Sequence, residues 1–404
     1  MKNAAIMGYG TIGSGVAEIL EENKDAIARA AGEEIRLKYV LDLREFPGSP
    51  VEDKLIHDFK VIEQDRDVEL VVETMGGLNP AYPFVKACLL AGKHVVTSNK
   101  ALVAAHGSEL LAIAKEKQVN FFFEASVGGG IPIIRTLYEC LMGEEIQEIT
   151  GILNGTTNFI LTKMDKEAWA FDKALKEAQR LGYAERNPEA DVEGHDTCRK
   201  IAILTSMTVG KEVNYEEIYT EGITRITDTD FQYAEKLGMS IKLTGTSRIR
   251  TDGMVSAYVL PLMISRDHPL YSVNDVFNGI LVKGNMLGTS MYYGSGAGKL
   301  PTASAVVADM IHGAKNAGRN VKLGWSAEKQ AVAPMGVNAF RYFIRMAGQP
   351  EECLAKLMVF GPREVVSIGK LNEFAIISKE MPEADFKEAV SGLEGIRSVI
   401  RVEL

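Results

Sequence analysis

The amino-acid sequence predicts an α/β and α+β chain in three parts. A doubly wound parallel sheet comes first, an α+β domain follows, and a ferredoxin-like domain closes the chain. Three observations predict this. Val-rich strand patterns alternate with helical patterns over residues 1–130. Gly8-Tyr9-Gly10-Thr11-Ile12-Gly13 stands between the first strand and the first helix. Residues 338–404 read in the order β-α-β-β-α-β. The middle domain covers residues 131–320, and its last part, about 300–320, returns to the first domain.

A chain of 404 residues has room for two or three domains and for substantial cores. Its formal charge of −9 argues against nucleic acid and anionic membrane surfaces as partners. No apolar run reaches the roughly 18–20 residues of a membrane span. Gly8 follows too soon after the start for a secretory leader. Cys88, Cys140, Cys198 and Cys353 form no CxxC and no metal-ligand spacing. Together these features predict a cytoplasmic protein with reduced thiols.

Residues 3–7 form an apolar strand, and Val16, Ile19, Leu20 and Ile27 mark the helix after it. Gly8 and Gly10 permit a tight turn and close backbone approach to a pyrophosphate. Gly13 lets helix and strand pack, and the helix N-terminus faces the phosphates. Directly after a strand and opening a helix, this run reads as a Rossmann dinucleotide fingerprint. Further strands are expected at 36–41, 68–73, 94–98 and 119–124, with helices at 81–91 and 102–117. Asp42 ends the second strand, where an acid takes ribose hydroxyls and favours NAD. Arg44 is placed to meet a 2′-phosphate instead, so NAD and NADP both stay open. Ligands bind beyond the carboxyl ends of such strands, which singles out Thr74, Ser98 and Lys100. A solvated surface lysine is the competing reading of Lys100.

Residues 124–132, EASVGGGIP, offer backbone carbonyls and one carboxylate. That set suits a hard cation, or the stretch is a plain hinge. Residues 151–158, GILNGTTN, form a small polar turn that either holds a polar substrate or caps a helix. In residues 181–204 five carboxylates (Glu185, Glu189, Asp191, Glu193, Asp196) precede Lys200. A helix ends at Gly182, Pro188 and Gly194 interrupt the next run, and Asp196 or Thr197 caps a new helix. Asp196 and Lys200 then share one face. They are either an exposed ion pair or an acid/base lysine with carboxylates that orient it and bind a substrate ammonium. His195 carries no role. Strands are expected at 254–264 and 279–283, and a Gly-rich turn at 294–298 leads to a helix at 306–317.

In the last domain, strands are expected at 340–346, 364–368, 374–378 and 399–402, with helices at 351–358 and 382–393. It holds no catalytic constellation, so a regulatory or dimerising role is expected.

The fingerprint, VVTSNKALVA (95–104), EASVGGGIPII (124–134), GILNGTTNFIL (151–161), LGYAERNPEADVEGHDTCRKIAIL (181–204) and GAGKLPTASAVVADM (296–310), in that order, resemble homoserine dehydrogenase. The resemblance covers about residues 3–320. The tail resembles an amino-acid-sensing ACT domain. The resemblance implies reversible NADP- or NAD-dependent reduction of L-aspartate 4-semialdehyde to L-homoserine, on the route to threonine, methionine and isoleucine. It makes Lys200 the proton donor and Lys100 a contact to cofactor and substrate. Glu185 and Asp196 become homoserine ligands, with Asp191, Thr156 and Tyr183 completing that set. Tyr9, Thr11, Ile12, Thr74, Ser98, Gly182 and Gly298 match cofactor contacts. Glu124, Val127, Gly129 and Ile131 match a sodium site, three of them through carbonyls. Homodimers or homotetramers are implied, with an amino-acid effector at the ACT-like domain. Two positions depart from the pattern. Leu41 stands before Asp42 where many relatives carry Arg or Lys, which weakens strict NADP preference. The loop Ala347-Gly348-Gln349-Pro350-Glu351 lacks the usual glycine after proline, which argues against threonine feedback. The competing readings are another Rossmann oxidoreductase of an amino-acid semialdehyde, or a non-catalytic sensing protein.

Overall fold

The computed structural model describes residues 1–369 and 372–403. The chain first forms β1 (Lys2–Met7), α1 (Thr11–Glu22), α2 (Lys24–Ala31), β2 (Ile35–Leu41), β3 (Leu55–Ile56), α3 (Phe59–Gln64), β4 (Val68–Glu73), α4 (Ala81–Leu90), β5 (His94–Thr97), α5 (Lys100–Glu116) and β6 (Phe121–Phe122). It continues through β7 (Ile146–Ile152), α6 (Gly155–Glu167), α7 (Phe171–Arg180), α8 (Glu189–Val192), α9 (His195–Val209), β8 (Lys211–Glu212), β9 (Tyr219–Thr220), α10 (Asp228–Lys236), β10 (Met239–Ile249), β11 (Val255–Ser265), β12 (Phe277–Gly284) and β13 (Gly288–Ser295). Last come α11 (Lys299–Lys315), β14 (Ser326–Lys329), β15 (Ala339–Ala347), α12 (Pro350–Leu357), β16 (Glu364–Val366), β17 (Glu373–Ile377), β18 (Met381–Pro382), α13 (Glu383–Val390) and β19 (Ile396–Glu403).

These elements form two compact units. One comprises Met1–Glu144, Ala202–Tyr215 and Gly294–Gln330; the other comprises Glu145–Ile201, Glu216–Tyr293 and Ala331–Leu404. The sequence predicts three successive domains with one returning segment, so the division differs: two segments return to the first unit, and residues 338–404 belong to the second.

The first unit holds a parallel sheet in the order β3-β2-β1-β4-β5-β6. This is the doubly wound Rossmann order, with its switch point between β1 and β4. Ala4 and Ile6 of β1, Val72 of β4 and Val96 of β5 pack with Val16 and Leu20 of α1 and Val306 and Met310 of α11. The central strands are almost wholly apolar because helices cover both faces. The expected strand at 119–124 shrinks to Phe121–Phe122. Residues Glu124–Ser126 turn into a 3₁₀ helix, since the buried Glu124 carboxylate accepts from the amides of Ile134 and Arg135.

The second unit is built on a sheet in the order β13-β12-β7-β10-β11-β19-β15-β17-β16. Its last four strands have the ferredoxin-like arrangement, with α12 and α13 in the expected places. Leu262 of β11 pairs with Arg401 of β19, so this module continues the same sheet. Tyr258, Leu260, Leu262, Tyr342, Ile344 and Phe374 share one core. At Gly245 of β10, a Cβ would meet Thr197 and Ile201 of α9 at 3.0 and 3.2 Å. A bare backbone there is what lets α9 lie close on the sheet.

Candidate active site

In the first unit the fingerprint closes a tight turn. Gly8 has φ +96°, a conformation that side chains disfavour. A Cβ on Gly13 would strike the Gly8 carbonyl at 2.0 Å, so helix and strand meet only with glycine there. Around Gly10 nothing lies within 4 Å of such a Cβ, and no side chain caps α1. The leading amides of α1, from Thr11 and Ile12, are left for an anion. These residues fit a dinucleotide pyrophosphate.

Asp42 stands at the end of β2 and accepts from the Tyr9 amide at 2.8 Å. Arg44 grips it with Nε at 3.0 Å and Nη2 at 2.9 Å. The Arg44 hydrogen bonds hold the Asp42 carboxyl well below the usual carboxylate range, against partial burial. The acid and the arginine, competing signals in the sequence, are thus one ion pair.

Thr74, Ser98 and Lys100 lie beyond β4 and β5, and a residue that sequence reasoning passed over organises them. Glu73 is fully buried. Its Oε1 accepts from the amides of Met75 and Gly76 at 2.8 and 3.1 Å. Its Oε2 accepts from Thr97 Oγ1 at 2.6 Å, and Thr97 Oγ1 accepts from the Asn99 amide at 2.9 Å. Asn99 caps α5 through Leu102 at 3.1 Å and donates to the Gly77 carbonyl at 2.6 Å. One carboxylate therefore fixes both loops, and Lys100 opens the capped helix. Burial pushes the Glu73 carboxyl up, opposed by the hydrogen bonds it accepts. The signals were present as an acid ending a buried strand and an asparagine one residue before a helix. Gly298 lies in the same unit, at the N-terminus of α11.

Residues 124–131 also fold in this unit. Each Glu124 oxygen accepts one amide, from Ile134 at 2.8 Å and Arg135 at 2.7 Å, leaving lone pairs for a cation. Gly129 has φ +58°, and a Cβ there would meet the Gly296 carbonyl at 2.3 Å. A buried carboxylate with lone pairs to spare is the kind of hard oxygen donor that a cation takes. Among the described residues no group of three or more His, Cys, Asp or Glu is placed to hold a metal. Asp309, missed in the sequence, accepts from the Glu124 amide at 2.8 Å and pairs with Arg135 at 2.6 Å. Burial, with the Glu124 charge beside it, pushes its carboxyl up to about 7.

The second unit holds the other half of the candidate residues. Lys200 is buried, 7% exposed, as is Asp196 at 2%. Their Nζ–Oδ2 distance is 2.8 Å, which removes the exposed ion pair as a reading. The cap expectation needs correction by one residue or more: α9 opens at His195, so Asp196 lies in its first turn. Gly194 provides the reversal before the helix. Lys200 Nζ also donates to the Leu153 carbonyl at 2.7 Å. Asn154, the next residue, donates to Asp191 at 2.7 Å and to Asp196 at 2.9 Å. The sequence offered this turn as a holder of a polar substrate or as a helix cap, and not as a partner of the two aspartates. Thr156 donates to the Tyr183 carbonyl at 2.7 Å, and the Tyr183 ring packs edge-on against Phe159. Gly182 follows α7 with φ +77°. Glu185 is exposed, and its carbonyl accepts from Gln179 Nε2 at 3.1 Å.

A Rossmann sheet with an open phosphate turn, and a buried lysine–carboxylate pair on a separate unit, define a dinucleotide-dependent oxidoreductase. Family comparison gives the particular one. Residues 8–124 match the homoserine dehydrogenase NAD binding domain, and residues 132–311 match the homoserine dehydrogenase model. The chain is 37% identical over 418 residues to homoserine dehydrogenase of Bacillus subtilis, covering 98% of this chain and 96% of the relative. The structure of a homoserine dehydrogenase from Thiobacillus denitrificans superimposes with a TM-score of 0.92 at 35% identity, covering 100% of this chain and 98% of that one. A hyperthermophilic archaeal homoserine dehydrogenase in complex with NADPH matches with a TM-score of 0.67 at 30% identity, covering 78% and 98%. The chain belongs to the homoserine dehydrogenase family, NAD(P)-dependent oxidoreductases of amino-acid biosynthesis. Among the described residues no helix is long and apolar enough to cross a membrane.

Proposed function

We propose that Lys200 is the proton donor in the reduction of L-aspartate 4-semialdehyde to L-homoserine and the acceptor in reverse. The observation that carries this is its burial between Asp196 and the Leu153 carbonyl. Bound NAD(P)H supplies the hydride to the aldehyde carbon. Lys200 supplies the proton that the resulting alkoxide takes up, and Asp196 holds the ammonium in place. Asp191, Thr156, Tyr183 and Glu185 bind the substrate's polar groups. Gly8, Tyr9, Gly10, Thr11, Ile12 and Gly13 cradle the pyrophosphate; Thr74, Ser98, Lys100, Gly182 and Gly298 complete the cofactor contacts. A cytoplasmic location goes with this biosynthetic chemistry. The homo-oligomer reading rests on β13, an edge strand that leaves Met291 and Tyr293 exposed. The ACT-like module serves as a brace or oligomerisation element rather than a threonine sensor.

The same chain is proposed to use both NADP and NAD. Arg44 takes a 2′-phosphate when one is present, and Asp42 takes ribose hydroxyls when it is not. Homoserine oxidation measured with NADP and NAD in parallel tests this. Arg44→Ala is expected to cut kcat/KM with NADP by about tenfold or more, the worth of a charged hydrogen bond, and to leave NAD turnover within about twofold. Equal losses with both cofactors would take the 2′-phosphate away from Arg44.

Sodium is proposed at Glu124 with the carbonyls of Val127, Gly129 and Ile131. At a sodium concentration about a hundredfold above Kd, the folded state should gain ~2.7 kcal/mol. Thermal melts in sodium and in tetramethylammonium chloride measure it, and coincident melts would remove the ion.

A further inference from the structure

Two consecutive residues after β7 hold the whole acid/base group. The Leu153 carbonyl accepts from Lys200. The Asn154 Nδ2 spends one hydrogen on Asp191 Oδ1 at 2.7 Å and the other on Asp196 Oδ2 at 2.9 Å. Its Oδ1 accepts from the Thr157 amide at 2.8 Å and caps α6. The network fixes the orientation of this amide. Turned over, it would set an oxygen against two carboxylates and an NH₂ against a backbone N–H. Asn154 is itself 6% exposed, so water does not replace it.

Two carboxylates drawn to one nitrogen repel each other, and such pairs tend to keep a proton between them. A neutral double donor offsets that repulsion without adding charge. Lys200 meets Asp196 at 2.8 Å from the other side. Asp191 of α8 and Asp196 and Lys200 of α9 are charged groups that face this amide or its partners. The turn between β7 and α6 supplies the Leu153 carbonyl and the cap.

We propose that Asn154 is a positioning residue that keeps Asp191 and Asp196 together and ionised beside Lys200, and so sets the pH range over which the lysine exchanges its proton. This rests on Lys200 being the proton donor. Capping α6 is the bland account of the same asparagine, and the two predict different variants. Asp and Ser are N-caps comparable to Asn, so a capping role tolerates both. The positioning role tolerates neither. Asn154→Asp adds a third acceptor and a negative charge beside the lysine.

The test is homoserine oxidation across pH with Asn154→Asp, Asn154→Ser and Lys200→Ala in the full-length chain, together with thermal melts and NADPH titration. The expected results are a fall in kcat of about 10–100-fold for both Asn154 variants and unchanged NADPH affinity. For Asn154→Asp the rising pH limb should move up by about one unit. A wild-type profile and kcat in Asn154→Asp, with Lys200→Ala inactive, overturns the proposal and leaves the lysine assignment standing. An active Lys200→Ala overturns the lysine assignment itself. If Asn154→Asp fails to fold, Asn154→Ser decides: a tenfold or greater loss of kcat at an unchanged melting temperature supports positioning, and wild-type turnover overturns it.

Discussion

Lys200→Ala is expected to lower kcat for homoserine oxidation by about 10²–10⁴-fold, the usual worth of a positioned acid or base. Lys200 Nζ reaches Asp196 and the Leu153 carbonyl, and a carboxylate and a carbonyl facing an ammonium both serve as acceptors there. The fingerprint turn lies in the other unit, so NADPH affinity should stay within about twofold. Kinetics and a fluorescence titration of NADPH separate the two effects. Lys200→Arg sharpens the test. It keeps the charge that offsets Asp196, so the fold is retained, yet a guanidinium holds its proton far above neutral pH. Arginine should therefore be nearly as inactive as alanine. Substantial turnover in Lys200→Arg would reduce the lysine to an electrostatic role.

Much of this was legible in the sequence because it depends on local pattern. The phosphate turn follows from three glycines between a strand and a helix. The Asp196–Lys200 pair follows from spacing on one helix face. What pattern could not supply was burial and long-range partnership. Whether Asp196 and Lys200 were exposed depended on α9 lying close on β10, which rests on Gly245, far away in the chain. Asp42 and Arg44 looked like rival determinants, whereas they bond to each other. Glu73 was one acid among many until its two oxygens were seen to hold two separate loops. The domain count differed for a similar reason. The β-α-β-β-α-β order of residues 338–404 was readable, but the pairing of β19 with β11 involves partners over a hundred residues apart, which no local periodicity encodes.

That pairing makes the tail a matter of stability for the whole second unit, and Glu383→Ala is expected to destabilise it by about 3–5 kcal/mol. Glu383 is fully buried and accepts from Arg401 Nη2 at 2.6 Å, Arg401 Nε at 3.2 Å and Tyr342 Oη at 2.9 Å. Truncation leaves Arg401, 6% exposed, with Glu221 at 2.5 Å as its remaining carboxylate. Burial opposes ionisation of Glu383, but its hydrogen bonds to Arg401 prevail and hold the carboxyl below its usual range. A carboxyl lowered in the folded state stabilises fully above its unfolded value, and the contribution is lost as pH falls through the lowered one. The gap between wild type and Glu383→Ala in urea unfolding should therefore be widest near neutral pH and narrow in acid. Activity gives the second readout. Arg401 sits on the strand that pairs with β11, β11 pairs with β10, and β10 seats α9. Loss of the tail should remove the support under Lys200, so loss of activity and loss of secondary structure should follow one urea curve. If the variant's tail melts first while turnover persists, the module folds independently and the shared sheet does not couple it to the lysine.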